Sequence, residues 1–430
     1  MLEFTMEIKN RLKKTKQLME ENSCLVVGSA KNHIRNKDVA HPFRQDSCFY
    51  YLTQFEEEHS IFVFRPGQVP ESVLFLQKKN PVKELWEGEL YGIQKAKQEG
   101  LAEEVYDIED FFKIMPSLLS TSKKMYYSFG KNTEIDEKIK TLRGKIGHTK
   151  KGQAVQDLLD ARILFNQLRA VKSETEISYL QKAADISAFG HIAIMKACKP
   201  EINERELYGV FLNTIMKHGS DREAYGAIVA GGSNATCLHY TLNNSVCKNG
   251  ELLTVDAGAE YNYYAGDVTR VMPINGKFSN IQKEVYGELL KIQKELISFA
   301  KINKSLKEMQ DYSVDKLIDL MKNLKLLKQE KSEITEKQLY KKYYPHGVSH
   351  WLGSDVHDDG PEALHKFQKN MCITVEPGIY IPLNDESAPK ELRGMGLRIE
   401  DDVVITEGKA LVLSAKAPKE IAEIEALMQK

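Results

Sequence analysis

The sequence is short of the features that mark whole classes of protein. Its formal net charge is −1, so neither sign is in surplus to hold nucleic acid or an anionic membrane. No apolar run approaches the roughly 20 residues needed to cross a bilayer. The N-terminal stretch, MLEFTMEIKN, carries acidic residues and no apolar centre, and does not read as a secretory leader. Six cysteines (Cys24, Cys48, Cys198, Cys237, Cys247, Cys372) are scattered with no CxxC pair. That pattern argues for free thiols in a reducing compartment over disulfides or a zinc cluster, and the cytoplasm is the expected location. Short-period repeats and low-complexity tracts are missing as well. Histidine is scarce, at 11 in 430 residues, yet three of them fall within PHGVSHWLGSDVHDDG.

What is present is the composition of a soluble globular protein, 42% hydrophobic and 28% charged, at a length that calls for two or three domains. The first ~165 residues alternate strand-like and helix-like segments. SCLVVGSA and SIFVFRPG read as strands closed by Gly or Pro, and KELWEGELYG and IQKAKQEGLAEEV as helices and connections. A long helix is expected through QAVQDLLDARILFNQLRAV, and a domain boundary near Lys172. Ser173 and Glu176 then have capping-box spacing, with Ile177, Leu180 and Ala184 on one helical face. Ser279 and Gln282 open a further helix in the same way. The stretch Lys301–Lys342 is lysine-rich and mostly helical in pattern, and reads as a solvated helical insertion.

Carboxylates gather in two candidate hairpins. In LLTVDAGAEYNYYAGDVTRVMPI, a turn centred on Tyr261 and Asn262 would set Asp256 directly opposite Asp267. Two aspartates that close repel unless a cation lies between them, and a divalent ion is the usual answer. MCITVEPGIYI and MGLRIEDDVVIT are also strand-like, and a hairpin centred near Ala388 would bring Glu376 opposite Glu400. Their neighbours are apolar, and unpaired charge in such surroundings is costly. A single Asp in a DAG or GD step is usually a turn residue, and Glu before Pro can simply face solvent. Two hairpins that each align a pair carry more weight than either alone.

The histidines join this pattern. The even interval between His346 and His350 places both rings on one face of an extended segment. The HExxH zinc motif is excluded because Gly347 stands where its glutamate would be. AGGSN and RGMG lack the spacing and the strand–helix context of a Rossmann or P-loop site.

The ordered strings DAG…GDVTR, HGVSHWLGSDVHD, TVEPGIY and GLRIED resemble the proline-directed M24 metallopeptidases of the pita-bread fold, from roughly Lys172 to the end. FRQDSCFYYLTQFEE is similar to the N-terminal domain of their aminopeptidase P branch. The resemblance implies an α/β (α+β) fold class, with an N-terminal α/β domain over residues 1–165 and a catalytic pita-bread domain over residues 172–430. It implies two divalent metal ions, manganese suiting the mostly oxygen donor set best, with zinc, cobalt and iron as alternatives. Asp256 would chelate one ion, His350 and Glu376 would hold the other, and Asp267 and Glu400 would bridge both. His346 and His357 would line the proline side of the scissile bond, His239 in TCLHYTLNN would hold the reacting carbonyl, and Arg398 would orient a ligand carboxylate.

The implied reaction is hydrolysis of an Xaa-Pro bond by water activated between the ions, releasing the N-terminal residue of a peptide with proline in second position. Glu376 would be the proton shuttle, with His239, His346 and His357 as further catalytic groups. Trp351 and Tyr380 are candidates for the proline pocket or for the core. The alternatives are a prolidase acting only on Xaa-Pro dipeptides, which shares the same ligands, and a metal-free pita-bread binding module, against which the intact ligand set argues. By the same resemblance the N-terminal domain mediates assembly into a homodimer or homotetramer. Peptides are the expected partners, with neither nucleic acid nor membrane.

Overall fold

The computed structural model of the protein describes residues 2–147 and 155–429. The chain divides into two compact units, Met1–Leu168 and Arg169–Lys430.

The first unit is built on one mixed sheet of six strands. These are β1 (Ser23–Gly28), β2 (Ile61–Phe64), β3 (Ser72–Leu76), β4 (Glu104–Asp107), β5 (Lys124–Tyr126) and β6 (Asp157–Leu159), in the order β4-β3-β2-β1-β5-β6. β1–β2 and β2–β3 pair antiparallel; β3–β4, β1–β5 and β5–β6 pair parallel. The central strands are apolar at consecutive positions because both faces are covered. Leu25, Val27, Phe62, Phe64, Leu74 and Leu76 enter one core, and Cys24, Val26, Ile61, Val63, Val73 and Phe75 the other.

The long helix expected through residues 153–171 does not form. Gln153 and Ala154 lie outside the described residues, and beyond them the chain makes β6 and then a short helix, Arg162–Leu168. Leu158 and Leu159 pair with Met125 and Tyr126 and complete the sheet edge, so tertiary pairing overrides the local helical pattern. Asp160 stops the strand, its carboxylate accepting from the Arg162 N–H at 3.0 Å and from Ser128 Oγ at 2.8 Å.

The second unit opens with α1 (Glu174–Ala197), capped as its sequence predicts. Ser173 Oγ accepts from the Glu176 N–H at 3.2 Å, and Glu176 Oε2 accepts from the Ser173 N–H at 2.8 Å, satisfying two otherwise orphaned donors. Helix α2 (Glu204–Lys217) packs on α1, where Gly190 leaves room for Phe211: a Cβ there would meet the ring at 2.5 Å. The Ser279–Gln282 box likewise starts α3 (Asn280–Phe299). The lysine-rich segment forms α4 (Leu306–Asn323) and further short helical turns. Only one side of α4 is solvated, which corrects the reading of a solvated insertion: Met309, Val314, Leu317, Ile318 and Met321 belong to the main core of this unit. Its lysines escape to the other face, where Lys307 pairs with Asp311 and Lys316 with Glu295.

Short antiparallel strands carry the candidate site. β7 (Ile228–Gly231), β8 (Leu252–Asp256) and β11 (Thr269–Pro273) form one sheet, with β9 (Ala259–Tyr261) and β10 (Tyr264–Ala265) continuing the hairpin between β8 and β11. β12 (Cys372–Val375) pairs with β15 (Asp401–Val404), and β13 (Gly378–Tyr380) with β14 (Gly396–Arg398).

The glutamate hairpin has the register expected from the sequence. Val375 faces Asp401 and Gly378 faces Arg398, so Glu376 and Glu400 fall opposite each other between the two paired segments. The aspartate hairpin is displaced by two residues. Asp256 faces Thr269, because the turn is Asn262-Tyr263, both with positive φ (48° and 66°), closed by the Tyr261–Tyr264 pair. An even displacement keeps every side chain on its face, so Asp256 and Asp267 remain neighbours, on a diagonal. The glycines of DAG and GD allow the two arms to touch: a Cβ on Gly258 would lie 1.7 Å from the Gly266 carbonyl oxygen.

Candidate metal centre

Asp256 ends β8, Asp267 stands just before β11, and Glu376 and Glu400 sit at the break between their strand pairs. Strand ends suit ligand side chains: the ladder fixes the backbone while the last residues escape its pairing. The HGVSH segment runs beside β12 without being a strand itself. The Thr374 N–H donates to the His350 carbonyl at 3.0 Å, and the Glu376 N–H to the Val348 carbonyl at 2.9 Å.

These residues converge on a cavity of about 640 Å³ lined by Asp256, Asp267, His350, Glu376, Glu400 and Arg398, with His239, His346 and His357 also in its wall. Donor atoms of Asp267, His350 and Glu400 lie within 4.8 Å of one another. His350 Nε2 is 3.3 Å from Asp267 Oδ2 and 3.7 Å from Glu376 Oε1. A larger groove, about 820 Å³ and bordered by Lys291, Lys294 and Glu295 of α3, brings no comparable set of ligating groups together.

The electrostatics are those of crowded acids. Burial, with Asp267 and Glu376 adding to it, pushes Glu400 well above the ordinary carboxylate range. Burial pushes Glu376 up to about 7 against the pull of His350 and Arg398. Asp256 is also raised by burial, although Arg398 pairs with it. Burial opposes protonation of His350, but Asp267 and Glu376 outweigh it and push the ring up to about 9. His346 moves down to about 4, through burial first and the Arg398 charge second.

The supporting contacts come from residues that the sequence reading did not single out. Tyr225 Oη lies 2.5 Å from Asp256 Oδ1 and 2.6 Å from Asp267 Oδ1. Thr269 Oγ1 donates to Glu400 Oε2 at 2.6 Å and accepts from Arg398 Nε at 3.1 Å. Asp402 is fully buried and accepts the Asp267 N–H at 3.1 Å. Its signal was present in the run EDD, where alternation puts Asp402 on the same face as Glu400. Tyr225 and Thr269 carried no such signal.

The candidate catalytic histidines differ in their surroundings. Both nitrogens of His346 are engaged: Nδ1 donates to the Gly347 carbonyl at 2.7 Å, leaving Nε2 to accept from Tyr380 Oη at 2.8 Å. Tyr380 Oη in turn accepts from Arg398 Nη1 at 2.7 Å, so one chain links Arg398, Tyr380 and His346. His239 and His357 are exposed at the cavity and make no hydrogen bond to protein among the described residues. His239 rides on a loop whose stems are tied by the buried Glu204. Its Oε1 accepts from the Gly231 N–H at 2.8 Å and Asn234 Nδ2 at 2.9 Å, and its Oε2 from Tyr240 Oη and the Ser245 N–H, both at 2.8 Å. Trp351 lies in the core against Phe367, its Nε1 donating to the Pro361 carbonyl at 3.0 Å.

The residues present fit divalent cations. One Tyr225 hydroxyl has a single proton to offer two carboxylate oxygens, and four carboxyl groups, buried in Asp256, Asp267 and Glu400 and half-buried in Glu376, share a cavity wall whose one permanent cation among the described residues is Arg398. The surplus of negative donors is what a pair of cations would neutralise.

The family model described as metallopeptidase family M24 matches residues 178–407, and that described as aminopeptidase P, N-terminal domain, matches residues 8–127. The chain belongs to metallopeptidase family M24. It is therefore a hydrolase that uses divalent metal, with the family's pita-bread domain following an aminopeptidase P-type N-terminal domain. The chain is 37% identical to the Xaa-Pro aminopeptidase of Haemophilus influenzae over 414 residues, covering 95% of this chain and 94% of that one. It is 35% identical to human Xaa-Pro aminopeptidase 3 over 415 residues, 93% of this chain and 80% of that one. Among solved structures, Pseudomonas aeruginosa aminopeptidase PepP superposes with a TM-score of 0.94 at 36% identity, over 98% of this chain and 97% of that one. A zinc-substituted Escherichia coli aminopeptidase P in complex with product gives a TM-score of 0.94 at 31% identity, over 98% of each chain.

Proposed function

We propose that this M24 enzyme is an Xaa-Pro aminopeptidase, releasing the N-terminal residue from peptides with proline in second position. The observation that carries the reading is the convergence of Asp256, Asp267, His350, Glu376 and Glu400 on one cavity also lined by three histidines. Its support is a likeness to Xaa-Pro aminopeptidases along nearly the whole chain, which also disfavours the prolidase alternative.

The five residues would hold two divalent ions, Asp267 lying near Asp256 through the shared Tyr225 hydroxyl and near His350 at 3.3 Å. A donor set of carboxylate oxygens with one imidazole suits manganese, with zinc, cobalt and iron as competitors. When bound, such a pair supplies an activated water and an electrophile for the scissile carbonyl.

The chain's own residues do the rest. Arg398 fixes one oxygen of Asp256 and keeps that carboxylate turned into the cavity. Glu376, whose Oε1 lies 3.7 Å from His350 Nε2 in the cavity wall, would take the proton of the attacking water and deliver it to the departing proline nitrogen. His239 and His357, with ring N–H groups uncommitted to protein, donate to the reacting carbonyl and the adjoining substrate backbone. His346, held through Tyr380, forms the wall on the proline side. The substrate amino terminus meets the acidic cluster, and the proline ring, which has no N–H and a fixed φ, is selected by shape.

In this proposal residues 172–430 carry the chemistry, while residues 1–165 serve assembly into a homodimer or homotetramer. Location is assigned to the cytoplasm on the strength of six free cysteines. Among the described residues no helix is long and apolar enough to cross a membrane. The test is manganese-dependent cleavage of Arg-Pro-Pro and Ala-Pro side by side, with a chelator control. Faster release of arginine from the tripeptide supports the proposal; cleavage of the dipeptide alone moves the enzyme to prolidase.

A further inference from the structure

A ring without a protein hydrogen bond is placed by the backbone that carries it, and His357 is such a ring. It meets His350 edge-on, with ring centres 4.5 Å apart, and otherwise depends on the loop Gly353–Gly360. That loop is held from behind by charge. Arg169 pairs with Asp355 and with Asp359, each at 2.8 Å, and also with Asp358. Lys172 Nζ reaches the second oxygen of Asp358 at 3.1 Å. The side chains of Arg169, Lys172 and Asp358 are only 2%, 1% and 1% exposed, so this is a buried clamp and not a surface ion pair. The Asp358 N–H also donates to the Trp351 carbonyl at 3.0 Å, and the Gly353 carbonyl accepts from the Ala265 N–H at 2.9 Å.

The three carboxylates flank His357 on both sides in sequence, and none of them lines the cavity. Buried charge persists only where its partners are complete, so the loop has one low-energy backbone path while the clamp is intact. Loosening one partner frees the segment that aims the imidazole, whereas the metal-ligand candidates sit on other elements.

We propose that Arg169 and Lys172 are positioning residues for hydrolysis, acting through Asp358 to aim His357 at the substrate. The inference rests on the assignment of His357 to substrate contact given above. Arg169 matters as a fork: it serves three carboxylates at once, which the single ammonium of a lysine cannot do.

The test is a double-mutant cycle on the full-length, metal-loaded enzyme, with Asp358→Asn, His357→Ala and the double variant assayed on Arg-Pro-Pro. Metal content and thermal midpoint are measured on each. Asp358→Asn is expected to lower kcat/KM by about 10- to 100-fold, the scale of a misplacement near 1 Å, with metal content unchanged. In the His357→Ala background the same substitution is expected to cost less than about twofold, because the group it aims is gone. Arg169→Lys is expected to fall between wild type and Asp358→Asn. Losses that multiply independently in the double variant overturn the clamp, as does loss of metal in Asp358→Asn. Wild-type turnover by His357→Ala instead removes the premise about His357, a result distinct from either. If Asp358→Asn does not fold, the paired change Asp355→Asn and Asp359→Asn weakens the same grip from its more exposed side. A loss there that persists without His357 is equally fatal.

Discussion

Tyr225 shows at the scale of one residue how the centre is tuned. Its hydroxyl lies between Asp256 and Asp267, and burial together with those two charges raises its own pKa well above that of free tyrosine. It therefore stays a proton donor that holds two carboxylates in a fixed relation. Tyr225→Phe removes the hydroxyl and keeps the ring. Metal affinity is expected to fall by roughly 10- to 100-fold, as for other groups that orient a ligand, with the fold intact. Titration of the metal-free variant with manganese checks this, and unchanged affinity would show that the tyrosine is a bystander. Nothing in the local sequence announces it, because its partners lie 31 and 42 residues away.

At the scale of elements, the two hairpins show what a single sequence can carry. Strand alternation placed Glu376 against Glu400 because apolar residues on both sides of the long link define the register. The sequence pattern sets the aspartate pair two residues from its observed register because the turn uses Asn262 and Tyr263 at positive φ, and tyrosine gives no turn signal. Period two rescued the face while losing the pairing. The lysines of Lys301–Lys342 masked an apolar stripe from Met309 to Met321 that was visible in the same letters. What local pattern could not supply was the set of long-range anchors, Glu204 among them.

Glu204 pins both stems of the His239 loop through four accepted hydrogen bonds. Glu204→Gln places an amide donor against existing donors, and each donor left unsatisfied by burial costs about 1–3 kcal/mol. A lower thermal midpoint and a fall in kcat/KM are expected together, with metal content retained; a variant that melts and turns over as wild type would show that the loop needs no such anchor. Helix α1 offers a pH-dependent counterpart. His191 is fully buried, with Nε2 on the Ala257 carbonyl at 3.0 Å, and burial lowers its pKa from 6.5 to about 4. The unfolded chain takes up the proton first as pH falls, so this contribution is complete above pH 6.5 and is lost between 6.5 and about 4. Its slope is at most about 1.4 kcal/mol per pH unit. Denaturant titrations of the metal-free protein at several pH values should show that slope, and a His191→Asn variant should lose it.

Over the whole molecule, the candidate ligands come from the end of β8, the approach to β11, the HGVSH segment, the break after β12 and the approach to β15, and only the fold brings them together. Behind them the fully buried Arg270 pairs with Asp401 at 2.7 Å and donates to the Glu400 carbonyl at 2.5 Å. The backbone of one candidate ligand is thus fastened from the side away from the cavity. The acids stay close because the fold holds them, and the proposed cations would complete the charge balance.

That balance is the claim most open to direct test, by metal analysis and Arg-Pro-Pro turnover on purified wild-type protein and its Asp267→Ala variant. Two divalent ions per chain in the wild type, with metal and activity both lost in the variant, is the expected result. Full metal content with normal turnover in Asp267→Ala would contradict it.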